Sequence, residues 1–229
     1  MKIVVCADGQ GVAEYGAQYL ARRVRDAVRR RGAATVAFSG GQTPIPMLQR
    51  LATLDVPWKS LTVYQVDERV APDGHEDRNS ALLDLLPLTA KQRHPMPVTA
   101  ARLEAAAKRY GASLPDVFDV VHLGLGPDGH TASWFPGDED TYLQSAPVVN
   151  TGVFNGRNRM TLTPSVVNAG RARLMEVVGG DKADKVARWL LHDSELPVEH
   201  VRRANTTLLM DASAAAELPA AHIATTAGR

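Results

Sequence analysis

The sequence predicts an α/β protein built on a doubly wound, largely parallel sheet flanked by helices. Three observations carry that expectation. Short β-rich runs alternate with helix-period segments along the chain. The strand candidates are continuously apolar, as strands covered on both faces by helices are. The glycine-rich and charged clusters fall just after strands, where an open parallel sheet binds its ligands.

In chain order, the first strand is Ile3–Ala7. From Val12 to Arg31, residues Val12, Tyr15, Tyr19, Val24 and Val28 recur at helical spacing, and Arg22, Arg23, Arg25 and Arg29 to Arg31 read as the solvated face of that helix. Further strands are expected at Thr35–Phe38, Leu61–Val66, Val117–Leu123, Met160–Leu162, Leu174–Val178 and Thr206–Met210. Helices are expected at Pro44–Leu54, Ser80–Leu86, Leu103–Ala112 and Lys182–Leu191. Residues 136–156, rich in Pro, Gly, Asn and Asp, read as a long excursion, and residues 1–229 as one domain.

Composition narrows the function classes. The 26 Lys and Arg nearly balance 25 Asp and Glu, giving a formal charge of +1 and no basic stripe for nucleic acid. Cys6 is the only cysteine, which excludes an internal disulfide framework and a cysteine-rich metal site. It lies in an apolar run and reads as a buried structural thiol. With no apolar signal core before Asp8 and no stretch able to span a bilayer, the expected address is the cytoplasm, without membrane partners. His75, His94, His122, His192, His200 and His222 show no metal-ligand spacing, and no G-x-S-x-G elbow is present.

Four clusters can carry chemistry. The first, Ser39-Gly40-Gly41-Gln42-Thr43-Pro44, follows a strand. Thr43 can cap a helix that starts at Pro44, and the free amides of that helix suit a phosphate. A plain glycine turn with a capping threonine fits the same residues. The second, Asp67-Glu68-Arg69, ends the Leu61–Val66 strand and suits proton handling and anion stabilisation, or else a surface ion pair.

The third, Gly124-Leu125-Gly126-Pro127-Asp128-Gly129-His130-Thr131-Ala132-Ser133, contains a literal G-x-G-x-x-G. Pro127 inside it, Pro136-Gly137 shortly after it, and the lack of a later strand-end acid oppose a dinucleotide site. What it does present is His130, backed by Asp128, as a base or as a capping histidine. The fourth is a pair of cations, Arg159 and Lys182. Lys182 at a helix start opposes the helix dipole unless an anion joins it.

Taken in order, Ser-Gly-Gly-Gln-Thr-Pro at 39–44, Asp-Glu-Arg at 67–69, Gly-Leu-Gly-Pro-Asp-Gly-His-Thr-Ala-Ser at 124–133 and Gly-Gly-Asp-Lys at 179–182 resemble the signature of the 6-phosphogluconolactonase family. The resemblance implies the fold of glucosamine-6-phosphate deaminase and ribose-5-phosphate isomerase, a place in the pentose phosphate pathway and no cofactor. It implies a small phosphosugar lactone as partner, on a monomer or weak homo-oligomer. It puts the catalytic histidine on His130, with Asp67 and Arg69 beside the lactone. The implied substrate-binding set is Ser39, Gly40, Gly41, Gln42, Thr43, Asn79, Asp128, Arg159 and Lys182. Arg78 replaces the serine that commonly precedes Asn79 in that family.

Two rivals share the fold. The deaminase loop resembles Asp-Gly-His-Ile-Ala-Phe-Asn-Glu, and this chain has Phe135 where that loop has its glutamate. The deaminase also tends to carry an aromatic residue where Arg69 stands. Sugar-phosphate-sensing domains of transcription regulators trail a DNA-binding helix-turn-helix, for which the strand at Ile3 leaves no room.

Overall fold

The computed structural model describes residues 1–218, so His222 lies outside the described residues. Strands β1 (Lys2–Cys6), β2 (Ala34–Phe38), β3 (Leu61–Gln65), β5 (Arg93–His94), β6 (Val120–Gly124), β9 (Arg173–Val177) and β10 (Thr206–Asp211) form a seven-stranded sheet in the order β1-β10-β9-β6-β2-β3-β5. Every pairing in it is parallel. From β2 the chain winds outward to β3 and β5, and from β6 it winds the other way to β9 and β10. The reversal lies between adjacent β2 and β6, and ligand crevices in open α/β sheets form at such a point.

Alternation along the strands explains their unbroken apolar character. Val120 and Leu174 pack with α1 (Gly9–Arg31) and α2 (Pro44–Ala52) on one face. Val121 and Met175 pack with α3 (Leu103–Ala112) and α6 (Ala183–Leu190) on the other. Trp189 of α6 is wholly buried in that second layer, and truncating such a side chain costs about 3–5 kcal/mol. Helix α1 starts three residues before the expected Val12, because Asp8 accepts the Gly11 amide at 2.8 Å and caps it. Its arginines are exposed, as a solvated face requires.

Three elements depart from the sequence reading. Met160–Leu162 belongs not to the parallel sheet but to a second, antiparallel sheet of β4 (Asp67–Arg69), β8 (Arg157–Leu162) and β7 (Val148–Phe154). The stretch 136–156 is no structureless excursion. It holds the short helix α4 (Glu139–Tyr142) and all of β7, which turns into β8 through Asn155 and Gly156, both at positive φ. That pair is the Asn-Gly signature of a two-residue hairpin. Residues Asn79–Leu85 form a 3₁₀ helix rather than an α-helix, and the Glu68 carboxylate takes its first amides, those of Asn79 and Ser80, at 2.7 and 2.9 Å. Helix α5 (Pro164–Ala169) completes the set.

No helix of the described residues is long and apolar enough to cross a membrane.

Candidate active site

At the β2/β6 reversal lies a cavity of about 170 Å³, walled by residues from the loops after β2 and β6 and from the second sheet. Ser39, Gly40, Gly41, Thr43 and Pro44 form one side of it. No acceptor among the described residues takes the amides of Gly40, Gly41, Gln42 or Thr43. The Ser39 hydroxyl is buried and has no partner among the described residues. Together with the positive end of α2, these free donors make an anion cradle. Gly40 is obligatory, since a β-carbon there would fall 1.8 Å from Asn79 Oδ1. The Thr43 cap does not form: its backbone is already helical and its side chain makes no capping bond, so the loop's amides stay open.

The second sheet supplies the opposite wall. Residues two apart on a strand share a face, so Asp67 and Arg69 of β4 stand beside Thr161 and Arg159 of β8, their register partners. Asp67 is buried and accepts a hydrogen bond from Ser133 Oγ at 2.8 Å. Arg69 is anchored through Nη1 to the Asp77 carbonyl at 2.8 Å. Arg159 lies over the rings of Phe135 and Phe154, 5.2 and 5.6 Å from their centroids. Burial lowers its pKa while Asp67 works the other way, and a guanidinium stays charged regardless. Its Nε and that of Arg69 are buried and have no hydrogen-bond partner among the described residues.

Asp67 and Glu68 are not a catalytic carboxylate pair, because adjacent strand residues face opposite ways. Glu68 is fully buried and accepts Gln65 Nε2 and the amides of Arg69, Asn79 and Ser80, and it forms an ion pair with Arg78, whose Nε lies 3.1 Å away. Arg78 is itself buried and holds the Ala71 carbonyl and Asp73. Its role is to fix the wall that carries Asn79. Asn79 donates to the Asp67 carbonyl at 3.1 Å, which ties the start of the 3₁₀ helix to β4 and holds the Asn79 side chain against Gly40.

His130 enters from the loop after β6. Its Nδ1 lies 2.5 Å from Asp128 Oδ1, and its own amide donates to the same oxygen at 3.2 Å. Holding Nδ1 this way sets the ring orientation and leaves Nε2 for the cavity. Burial pushes the Asp128 carboxyl up, but the bonds from His130 outweigh that and hold it below the ordinary carboxylate range. Phe135 and Phe154, stacked at 3.8 Å, pack against the imidazole at 5.4 and 5.5 Å. A β-carbon on Gly126 would lie 2.1 Å from His130 Nδ1, so only glycine admits this ring. No helix follows the G-x-G-x-x-G: residues 131–134 make a tight turn closed by a Thr131–Trp134 bridge. The dinucleotide geometry is therefore not built here.

The cavity thus unites Ser39, Gly40, Gly41, Thr43, Asp67, Arg69, Asn79, His130 and Arg159. Three expected substrate contacts stand outside its wall. Gln42 is exposed on the far side of its turn. Asp128 is spent on His130. Lys182 is paired with Asp181 at 2.6 Å in the turn after β9. Sequence reasoning missed His122 and Glu176, which line the floor, and Phe154, whose signal was the Asn-Gly hairpin beside it. A larger groove of about 680 Å³ between α3 and β7 has Glu104 and Lys108 as its only charged wall residues and gathers no comparable chemistry. Among the described residues no group of three His, Cys, Asp or Glu side chains is placed to hold a metal ion.

An open α/β sheet with an anion cradle, a carboxylate-held histidine and two facing arginines defines a class of enzymes that act on small anionic substrates. Residues 7–210 match the family model described as glucosamine-6-phosphate isomerases/6-phosphogluconolactonase. A 6-phosphogluconolactonase of Streptomyces coelicolor is 34% identical, covering 95% of each chain. Another from Nostoc is 32% identical over 84% of this chain and 88% of its own. The solved 6-phosphogluconolactonase of Thermotoga maritima superposes with a TM-score of 0.82 at 25% identity, covering 92% of this chain and 98% of its own. A monomeric glucosamine-6-phosphate deaminase shares the fold at a TM-score of 0.77 and 18% identity, over 95% of this chain and all (100%) of its own. The chain belongs to the glucosamine-6-phosphate isomerase/6-phosphogluconolactonase family.

Proposed function

We propose that this chain hydrolyses 6-phospho-D-glucono-1,5-lactone to 6-phosphogluconate in the oxidative pentose phosphate pathway. The observation that carries the reading is His130, held through Nδ1 by Asp128 at 2.5 Å, in one cavity with Arg69, Arg159 and the open amides of Gly40 to Thr43. The phosphoryl group docks on the 39–43 loop, with Arg159 supplying charge from the opposite wall. His130 Nε2 takes a proton from water as the water oxygen attacks the lactone carbonyl carbon. The carbonyl oxygen becomes the oxyanion of a tetrahedral intermediate, stabilised by Arg69. The intermediate collapses, the bond from carbon to ring oxygen breaks, and His130 returns its proton to that oxygen. Asp67, fixed by Ser133, orients the water.

Phe135 favours this reading over deamination. It packs on His130 at the position where the deaminase loop carries a glutamate, and a phenyl ring transfers no proton. The test is hydrolysis of the lactone by purified protein in EDTA, with the spontaneous rate subtracted, beside ammonia release from glucosamine 6-phosphate. Lactone hydrolysis without ammonia supports the proposal. Ammonia release without lactone hydrolysis reverses it.

A further inference from the structure

The floor of the cavity carries a buried acid–base couple that the reaction above does not use. His122 on β6 and Glu176 on β9 meet across neighbouring strands, with Nε2 2.9 Å from Oε2. Both side chains are 1% exposed, and both line the cavity. Strand alternation puts them on the face shared with Val120 and Leu174, under α1 and α2 and so beneath the anion loop. The loop is tied to them directly, since the Ser39 amide donates to the His122 carbonyl at 3.2 Å.

Taking two ionisable groups out of water is unfavourable, and an aliphatic pair of similar volume would fill this space without that penalty. Among the described residues His122 Nδ1 has no partner although it is fully shielded, and Ser39 Oγ in the same wall is in the same state. Buried polar atoms are almost always satisfied. Two orphans facing one anion cradle indicate a ligand that bonds both.

We infer that His122 is a substrate-binding residue whose Nδ1–H donates to an oxygen of the group held by the 39–43 loop, with Glu176 fixing the ring through Nε2. An unpaired Glu176 would repel an anion from the floor. The His122 ring covers that carboxylate and presents Nδ1 to the cavity. The other charged wall residues, Asp67, Arg69, His130 and Arg159, come from β4, β8 and the loop after β6, so this couple is the only charge on the sheet floor itself. For the identity of the anion, a phosphoryl group, the inference rests on the proposed function.

The test uses sulfate, a dianion that does not titrate near neutral pH, measured by calorimetry alongside lactone kinetics. His122→Gln keeps an amide within reach of Glu176 and removes Nδ1. His122→Asn instead offers an amide where Nδ1 stood. In His122→Gln the Kd for sulfate and the KM for the phosphorylated lactone rise roughly ten- to a hundredfold, the worth of a charged hydrogen bond. Its kcat holds, its rate on non-phosphorylated gluconolactone holds, and His122→Asn recovers part of the loss. Unchanged Kd and KM in folded His122→Gln overturn the inference. Should that variant fail to fold, Glu176→Gln replaces it, with weakened sulfate binding expected and unchanged binding contradicting. Sulfate binding needs no catalysis. A chain that binds sulfate through His122 but opens no lactone upholds this inference and overturns the proposed function.

Discussion

Arg69 and Arg159 stand directly opposite each other in the β4–β8 ladder. Like charges in that position destabilise a sheet, and here each guanidinium also has a buried, unpartnered Nε. The arrangement makes sense when an anion lies between them, because both then gain the acceptor they lack.

A variant separates the two effects. Arg159→Met keeps an unbranched apolar stem beside Phe135 and Phe154 but removes the guanidinium that lies over their rings. KM for the phosphorylated lactone should rise roughly ten- to a hundredfold, while Tm in calorimetry holds or rises, since the like-charge pair is gone. A fall of several degrees with unchanged KM would make Arg159 a structural residue.

Lys182→Ala should do much less. Lys182 is paired with an exposed neighbour, Asp181, and exposed pairs are worth about 0–1 kcal/mol, so KM should change by less than about fivefold. A loss as large as that of Arg159→Met would show that Lys182 leaves Asp181 to reach the substrate.

Much of this architecture was legible in the chain. Continuous apolar runs marked the parallel strands because helices cover both faces of the sheet. The clusters at 39–44 and 124–133 marked the β2/β6 crevice because only backbones free of side chains admit Asn79 at Gly40 and His130 at Gly126. The second sheet was not legible. Asp67–Arg69 is three residues long, too short for periodicity to register, and β7 was obscured by polar residues around an Asn-Gly turn that should have been taken as a hairpin. The buried pairing of Glu68 with Arg78 was not legible because partners 10 positions apart leave no local pattern. At Lys182 the sequence showed a cation at a helix start but not its pairing with Asp181 beside it.

Gly126→Ala probes how finely the histidine is placed. The added methyl would overlap the His130 ring, and displacing a reacting group by about 1 Å can cost roughly a hundredfold in rate. The expected outcome is a fold retained by circular dichroism with kcat lowered to that extent. An unaffected kcat would mean that the ring position seen here is not the working one.

Asp128 links the site to acid stability. Its carboxyl is held below the ordinary range by His130, so the native state favours the ionised form. That contribution is fully present above the unfolded carboxylate value of about 3.9 and is lost as pH falls through the lower folded value. The difference in Tm between wild type and Asp128→Asn should therefore be largest near neutrality and shrink below about pH 4. A difference that grows on acidification would contradict the depressed carboxyl.

The most direct measurement is the steady-state kinetics of His130→Asn on 6-phosphogluconolactone, with the spontaneous rate subtracted. Asparagine keeps approximate size and hydrogen bonding but exchanges no proton near neutral pH. The account predicts an intact fold, a KM close to wild type and a kcat reduced by roughly 10²–10⁴, the usual worth of a positioned acid–base group. A His130→Asn protein with near wild-type kcat would contradict it.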